Sequence, residues 1–206
     1  FGLPIPDNQP PNILRLAIYD RTQSTYEQSP KILPLKKIGN YYSPAVGNII
    51  ATSTSVSFGI TAFDKYSGST NQNGIYRAAI YDNDKLLCRF TMDSISYDET
   101  RYLNAHIDYK TKFSGGPYIQ HLSMLPGYSD GIYSTSKTNG IIRIKEGEKH
   151  SIKILVYDTE GNQSEIRFEL TGQPNPPKKS TGKGQLFTTD ALNIYESDHL
   201  KFYLPE

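Results

Sequence analysis

The segment Gly74–Asp93, GIYRAAIYDNDKLLCRFTMD, alternates apolar and polar residues on both sides of an Asp-Asn-Asp turn, and this narrows the possible folds most. Tyr76, Ala78 and Ile80 on one side, and Leu86, Cys88, Phe90 and Met92 on the other, recur at every second position, with Arg77, Lys85 and Arg89 among the residues between them. A period of two sends one set to a core and the other to water, so the segment reads as a β-hairpin. Directly opposed residues share a face. That places Ile80 opposite Leu86 and leaves the loop Asp82–Asn83–Asp84, with Asn83 or Asp84 in the left-handed conformation.

The same phase returns along the chain. Asn12–Tyr19 carries Leu14, Leu16 and Ile18 on one face; Val56–Asp64 carries Val56, Phe58, Ile60 and Ala62 inward, with Ser57 and Thr61 outward. Gly140–Lys145 presents Ile142 and Ile144, His150–Asp158 presents Ile152, Ile154 and Val156, and Gln163–Leu170 presents Ile166, Phe168 and Leu170. Setting Val156 opposite Ile166 keeps the last two apolar faces together across a turn containing Gly161 and Asn162. Pro34 interrupts Ile32–Leu35, which predicts an edge strand or an irregular connection, and Tyr118–Leu125 reads as a further strand stopped by Pro126-Gly127. Ser96-Tyr97-Asp98-Glu99 has the form of a capping box, with Ile95 as its staple. The stripe Leu103, His106, Ile107, Lys110 predicts one short helix over Tyr97–Tyr109. About seven strands with turn signals between them predict a mainly β chain: an immunoglobulin- or fibronectin-like antiparallel β-sandwich with that helix inserted. Sixteen tyrosines, thirteen prolines and no tryptophan suit it. The expected organisation is an extended leading segment over 1–11, the sandwich over 12–172 and a Pro/Lys/Gly linker over 173–185. Residues 186–206 then supply extra strands or open an incomplete second β domain.

A net charge of +1 gives no electrostatic reason to expect nucleic acid or an anionic membrane surface, and no apolar run reaches the length of a membrane span. The one cysteine, Cys88, lies on an inward face and reads as a buried, inert thiol. The scarcity of disulfides suits a cytosolic protein and an exported bacterial one equally. His106, His121, His150 and His199 are followed four residues on by Lys110, Leu125, Ile154 and Tyr203, and two residues on by Asp108, Ser123, Ile152 and Lys201. H-x-x-x-D, H-x-H and H-E-x-x-H are therefore all missing, and the histidines read as surface or capping residues. The loops Asp158–Asn162 and Asp82–Asp84 offer oxygen ligands. Calcium takes about six to eight, neither loop suffices alone, and turn chemistry explains both, so no metal, cofactor or catalytic residue is assigned. Phosphate-loop and nucleophile-elbow motifs are missing as well. Tyr41, Tyr42, Tyr66, Tyr118, Tyr128 and Tyr133 lie in or beside predicted loops and are the candidate ligand contacts, aromatic platforms for a glycan or a protein partner.

Gly74-Ile75-Tyr76 leading into Ile80-Tyr81-Asp82, the segment Phe90–Leu103, and Ile154–Ser164 together resemble an accessory β-sandwich region. It is the region that follows the catalytic domain in exported lysostaphin-like (LytM-type) zinc peptidases of Gram-negative bacteria. The resemblance covers nearly the whole chain and implies that Phe1–Ile13 would come just after such a peptidase and that Asn193–Pro205 would open the next β domain. Asp84 departs from the glycine more usual in related hairpins. The family's peptidases cleave peptide cross-bridges in peptidoglycan with zinc held by H-x-x-x-D and H-x-H. Those motifs are missing here, so no catalytic residue carries over. The implied role is a non-catalytic companion in the periplasm or cell envelope, with a peptidase domain of the same parent chain or peptidoglycan as partner. The alternative is a glycan- or peptidoglycan-binding module working through the loop tyrosines.

Overall fold

The computed structural model describes residues 6–127, 131–173, 192–196 and 201–205, so the expected linker beyond Gln173 lies outside the described residues. The strands are β1 Asn12–Asp20, β2 Lys31–Ile38, β3 Tyr41–Pro44, β4 Ile49–Ala51, β5 Ser55–Phe63, β6 Arg77–Asp82 and β7 Lys85–Thr91, then β8 Gln120–His121, β9 Tyr133–Thr135, β10 Ile142–Arg143, β11 Lys149–Tyr157 and β12 Gln163–Gly172. A separate hairpin pairs β13 Leu192–Glu196 with β14 Lys201–Pro205. The chain is mainly β and sandwich-like, one curled sheet in the order β10-β5-β1-β2-β3-β12-β11-β6-β7-β9. It is mixed rather than wholly antiparallel, because β12 runs parallel to β3 and β4.

Strand β2 makes the curl. Lys31–Pro34 pair with β1 and Leu35–Ile38 pair with β3, so β2 is a shared strand and not the expected edge. Pro34 falls at the changeover, where a missing N–H and a bend disturb the ladder least. Between the two halves, Leu16, Phe58 and Ile60 meet Ile80, Phe90, Ile154, Ile166 and Leu170 in one buried core. The rings of Phe58 and Phe168 lie edge to face at 5.3 Å, a geometry that favours aromatic pairs. Cys88 is buried in this core, as its alternation indicates.

Alternation identifies the strands, and bulges adjust their registers. In the β6–β7 hairpin Ile80 faces Cys88, Tyr81 faces Leu86, and Leu87 is the extra residue. The loop is the two-residue pair Asn83-Asp84, both with positive φ, as a type I′ turn requires. Leu86 consequently lies out on the surface, not opposite Ile80. In β1 a register shift between Ile13 and Arg15 extrudes Leu14 to the surface, while Ile13 and Leu16 go inward. In the second hairpin Ile154, not Val156, faces Ile166, and Val156 pairs with Ser164. The faces match as expected; the register slips by one pair.

The segment between β7 and β9 departs most from the pattern. Instead of one helix over Tyr97–Tyr109, a 3-10 helix spans Tyr97–Ala105 and a five-residue helix, α1, spans Tyr109–Phe113. The Ser96 side chain caps nothing; Asp108 caps α1 by accepting from the Thr111 amide. Ile107 leaves the helical stripe to bridge Gln120, and the expected strand over Tyr118–Leu125 shortens to β8. This excursion covers the outward face of β1 and β5. Ala17, Tyr19 and Ile119 form a second small core there, and Ser57, although on the outward face, is buried beneath it. Gly59 permits the close approach: a Cβ there would lie 2.7 Å from Ile119 Cγ2 and 3.0 Å from the Gln120 carbonyl oxygen.

Candidate functional site

Three chain segments meet at one end of the sandwich, and each brings a carboxylate. Asp7 belongs to the leading segment, Asp64 follows the last residue of β5, and Asp158 opens the β11–β12 turn. An oxygen from each lies within 4.8 Å of the others, and all three side chains are buried. Local chemistry holds each in place. Asp7 Oδ1 accepts from the Ser67 hydroxyl at 2.8 Å, the Ser67 amide at 3.0 Å and the Gln9 amide at 3.1 Å. The Asp64 backbone exchanges two hydrogen bonds with Asn73, closing the loop between them. Asp158 accepts from the Asn162 amide and side chain, at 2.8 and 2.7 Å. The same side-chain Nδ2 of Asn162 also donates to the Asp7 carbonyl at 3.0 Å, and the Ser164 hydroxyl donates to the Pro11 carbonyl, so the leading segment is fastened to the turn.

The electrostatics of the three are unequal. Burial pushes the Asp64 carboxyl up, and the nearby Asp158 and Asp7 charges push it further, against one backbone hydrogen bond from Lys65. Burial acts on Asp7 in the same direction, but the Ser67 hydroxyl and the amides of Gln9, Ser67 and Asn8 outweigh it and hold that carboxyl low. Asp7 Oδ2 and Asp64 Oδ1 are buried with no hydrogen-bond partner. Among the described residues, no lysine, arginine or histidine forms an ion pair with any of the three. The other acidic loop differs: Asp82 lies 2.8 Å from His150, and Asp84 lies 2.7 Å from Lys153.

The histidines go inside, contrary to their reading as surface residues: His106, His121 and His150 are all buried. His199 lies outside the described residues. Beneath the excursion Tyr133 donates to the His121 carbonyl at 3.0 Å and therefore accepts from His106 Nδ1 at 2.8 Å, which leaves His106 Nε2 to accept from the Gln120 amide at 3.2 Å. That pattern fits a neutral imidazole. Burial, with a smaller contribution from His121, pushes His106 down to about 3. Tyr19 donates to Asp108 Oδ2 at 2.8 Å, and burial and the Asp108 charge push its hydroxyl well up.

The six tyrosines divide. The Tyr41 ring lies under the Arg167 guanidinium at 5.3 Å, and half-buried Tyr42 packs on the core with Lys37 over its ring. Tyr66 is half-buried near Glu160, Asp7 and Asp158. Tyr133 is occupied internally, and Tyr128 lies outside the described residues. Tyr118 is exposed and lines a cleft of about 640 Å³ with Leu14, Phe63, Tyr76 and Met92. It is the one of the five described candidates that lines the cleft. Thr159, next to Asp158, and Phe63, next to Asp64, also border the cleft, so it lies beside the acidic cluster.

Sequence reasoning singled out the Asp158–Asn162 turn but neither Asp7 nor Asp64, since their convergence depends on long-range pairing. The only local signal was an aspartate beside each strand end or turn, and 21 acidic residues give many of those. Comparison with protein-family models, with curated proteins and with solved structures finds no match to this chain. No helix among the described residues is long and apolar enough to cross a membrane.

Proposed function

We propose that this chain is a non-catalytic accessory β-sandwich module of an exported bacterial cell-envelope protein, acting beside a peptidoglycan-hydrolysing zinc metallopeptidase. The resemblance of Gly74–Asp82, Phe90–Leu103 and Ile154–Ser164 to the accessory region of such enzymes supports the parentage. The observation that carries the accessory role is the chain Gln120–His106–Tyr133–His121. It spends both nitrogens of the His106 imidazole, the kind of group a zinc hydrolase would need as a ligand, on fastening the excursion to the sheet. In an assay with purified cross-linked peptidoglycan and added zinc, the chain alone is expected to release no fragments. Zinc-dependent release would contradict the reading.

The second reading, a glycan- or peptidoglycan-binding module, is favoured by Tyr118 at the mouth of the cleft with Tyr76 and Phe63. An exposed ring beside an apolar cleft is a platform on which a sugar face can stack. Co-sedimentation with peptidoglycan that drops several-fold in Tyr118→Ala supports it. A chain that stays in the soluble fraction removes it.

A further inference from the structure

Asp7, Asp64 and Asp158 are 7%, 6% and 3% exposed, so three carboxylates share one covered corner close to the surface. Like charges at such separations repel, and folded proteins meet that cost by protonation, by a cationic partner or by a metal ion. A cationic side chain is ruled out among the described residues, and the acids of the 82–84 loop show what such pairing looks like in this molecule. Asp7 Oδ1 is saturated by three donors, whereas its Oδ2 and Asp64 Oδ1 are buried acceptors with nothing to accept from. An unmet buried acceptor is costly, more so when it is charged, and two carboxylate oxygens left so in one cluster point to a ligand.

We propose that Asp7, Asp64 and Asp158 form a calcium site that clamps the leading segment, the end of β5 and the β11–β12 turn together. The donor set consists of carboxylate oxygens alone, with no imidazole or thiolate, which selects a hard cation over zinc or copper. One calcium ion, with its oxygens at about 2.3–2.6 Å, bridges carboxylates separated as these are. The hydrogen bonds from Ser67, Gln9 and Asn162 orient the carboxylates from behind, as second-shell donors do at metal sites. Sixteen tyrosines and no tryptophan, with Tyr66 near the cluster, also make terbium, a calcium surrogate, a usable luminescent probe.

The test uses the full chain stripped with EGTA and then titrated with calcium, magnesium or terbium. The expected results are a saturable calorimetric signal for calcium, tyrosine-sensitised terbium emission that calcium displaces, and a melting temperature raised by about 5 °C or more at saturating calcium. Magnesium at equal concentration should give less than half that shift, since it needs a smaller, regular octahedron. Asp64→Asn keeps the shape and removes one charge. It should fold, melt no lower than the calcium-free parent, and lose at least tenfold in calcium affinity, while Asp93→Asn on the exposed surface should bind like the parent. No signal up to 10 mM calcium, or a calcium response that Asp64→Asn leaves intact, would overturn the proposal.

Discussion

Beneath the excursion, Tyr19, His106, Asp108 and Tyr133 meet as donors and acceptors; at the end of the sandwich, Asp7, Asp64 and Asp158 meet as acceptors only. The first group is mostly paired, and the atoms it leaves without a partner, Gln120 Oε1 and His121 Nδ1, belong to neutral groups. Asp108 takes the Tyr19 hydroxyl at 2.8 Å, the Thr111 hydroxyl at 2.7 Å and the Thr111 amide at 2.8 Å, and neutral His106 links Gln120 to Tyr133. The second leaves two charged oxygens unmet. Equal burial therefore has opposite meanings: a satisfied network fixes a structure, whereas an unsatisfied one of a single sign marks a place for something else. Both regions are built from loops packed on the sheet, and what separates them is that the unmet atoms at the sandwich end are carboxylate oxygens of three acids brought together.

Acid should expose the difference most. His106 and His121 are both held low in the fold, chiefly by burial, with Asp108 partly opposing that for His121. The unfolded chain takes up their protons below about pH 6.5 and the folded chain does not, so stability falls as pH drops from about 6.5 toward 4. Asp64, raised in the fold, works the other way and gains relative stability as it protonates. Urea midpoints at pH 7.5 and 4.5 should reveal a net loss of about 2–5 kcal/mol, because two histidines outweigh one carboxyl. A flat profile would mean that the histidines are not buried as described.

Removing an acid from each cluster should next give unequal costs. Asp108→Ala leaves the Tyr19 hydroxyl and the Thr111 amide without their acceptor and uncaps α1, which should cost about 2–4 kcal/mol in a urea melt. The calcium-free Asp64→Asn chain should lose nothing by the same measurement. Equal losses would erase the distinction between the two clusters. Gly59→Ala comes last, at about 1–3 kcal/mol, because its Cβ drives the excursion away from β5. A neutral effect would show that the excursion rests loosely on the sheet.

Much of the frame was legible in the sequence. Val56, Phe58 and Ile60, and again Ile152, Ile154 and Val156, all take the inward face that a period of two assigns them. Bulges were not legible: an extra residue at Leu14 or Leu87 leaves no compositional mark, yet it moves Leu14 and Leu86 to the surface. The capping box at Ser96 was a local signal that tertiary packing overrode, with the helix start passing to Asp108. For the acidic cluster only the Asp158 turn could be read. Asp64 becomes part of it when β5 pairs along β1, and Asp7 when Asn162 and Ser67 hold the leading segment down.

The claim that the two clusters differ in kind is tested most directly by a crystal of the full chain grown in calcium, with anomalous differences collected at long wavelength. The expected result is one strong anomalous peak bonded to carboxylate oxygens of Asp7, Asp64 and Asp158, and none beside Asp108. A map without density between the three aspartates, their carboxylates turned apart or bonded to one another, would contradict it.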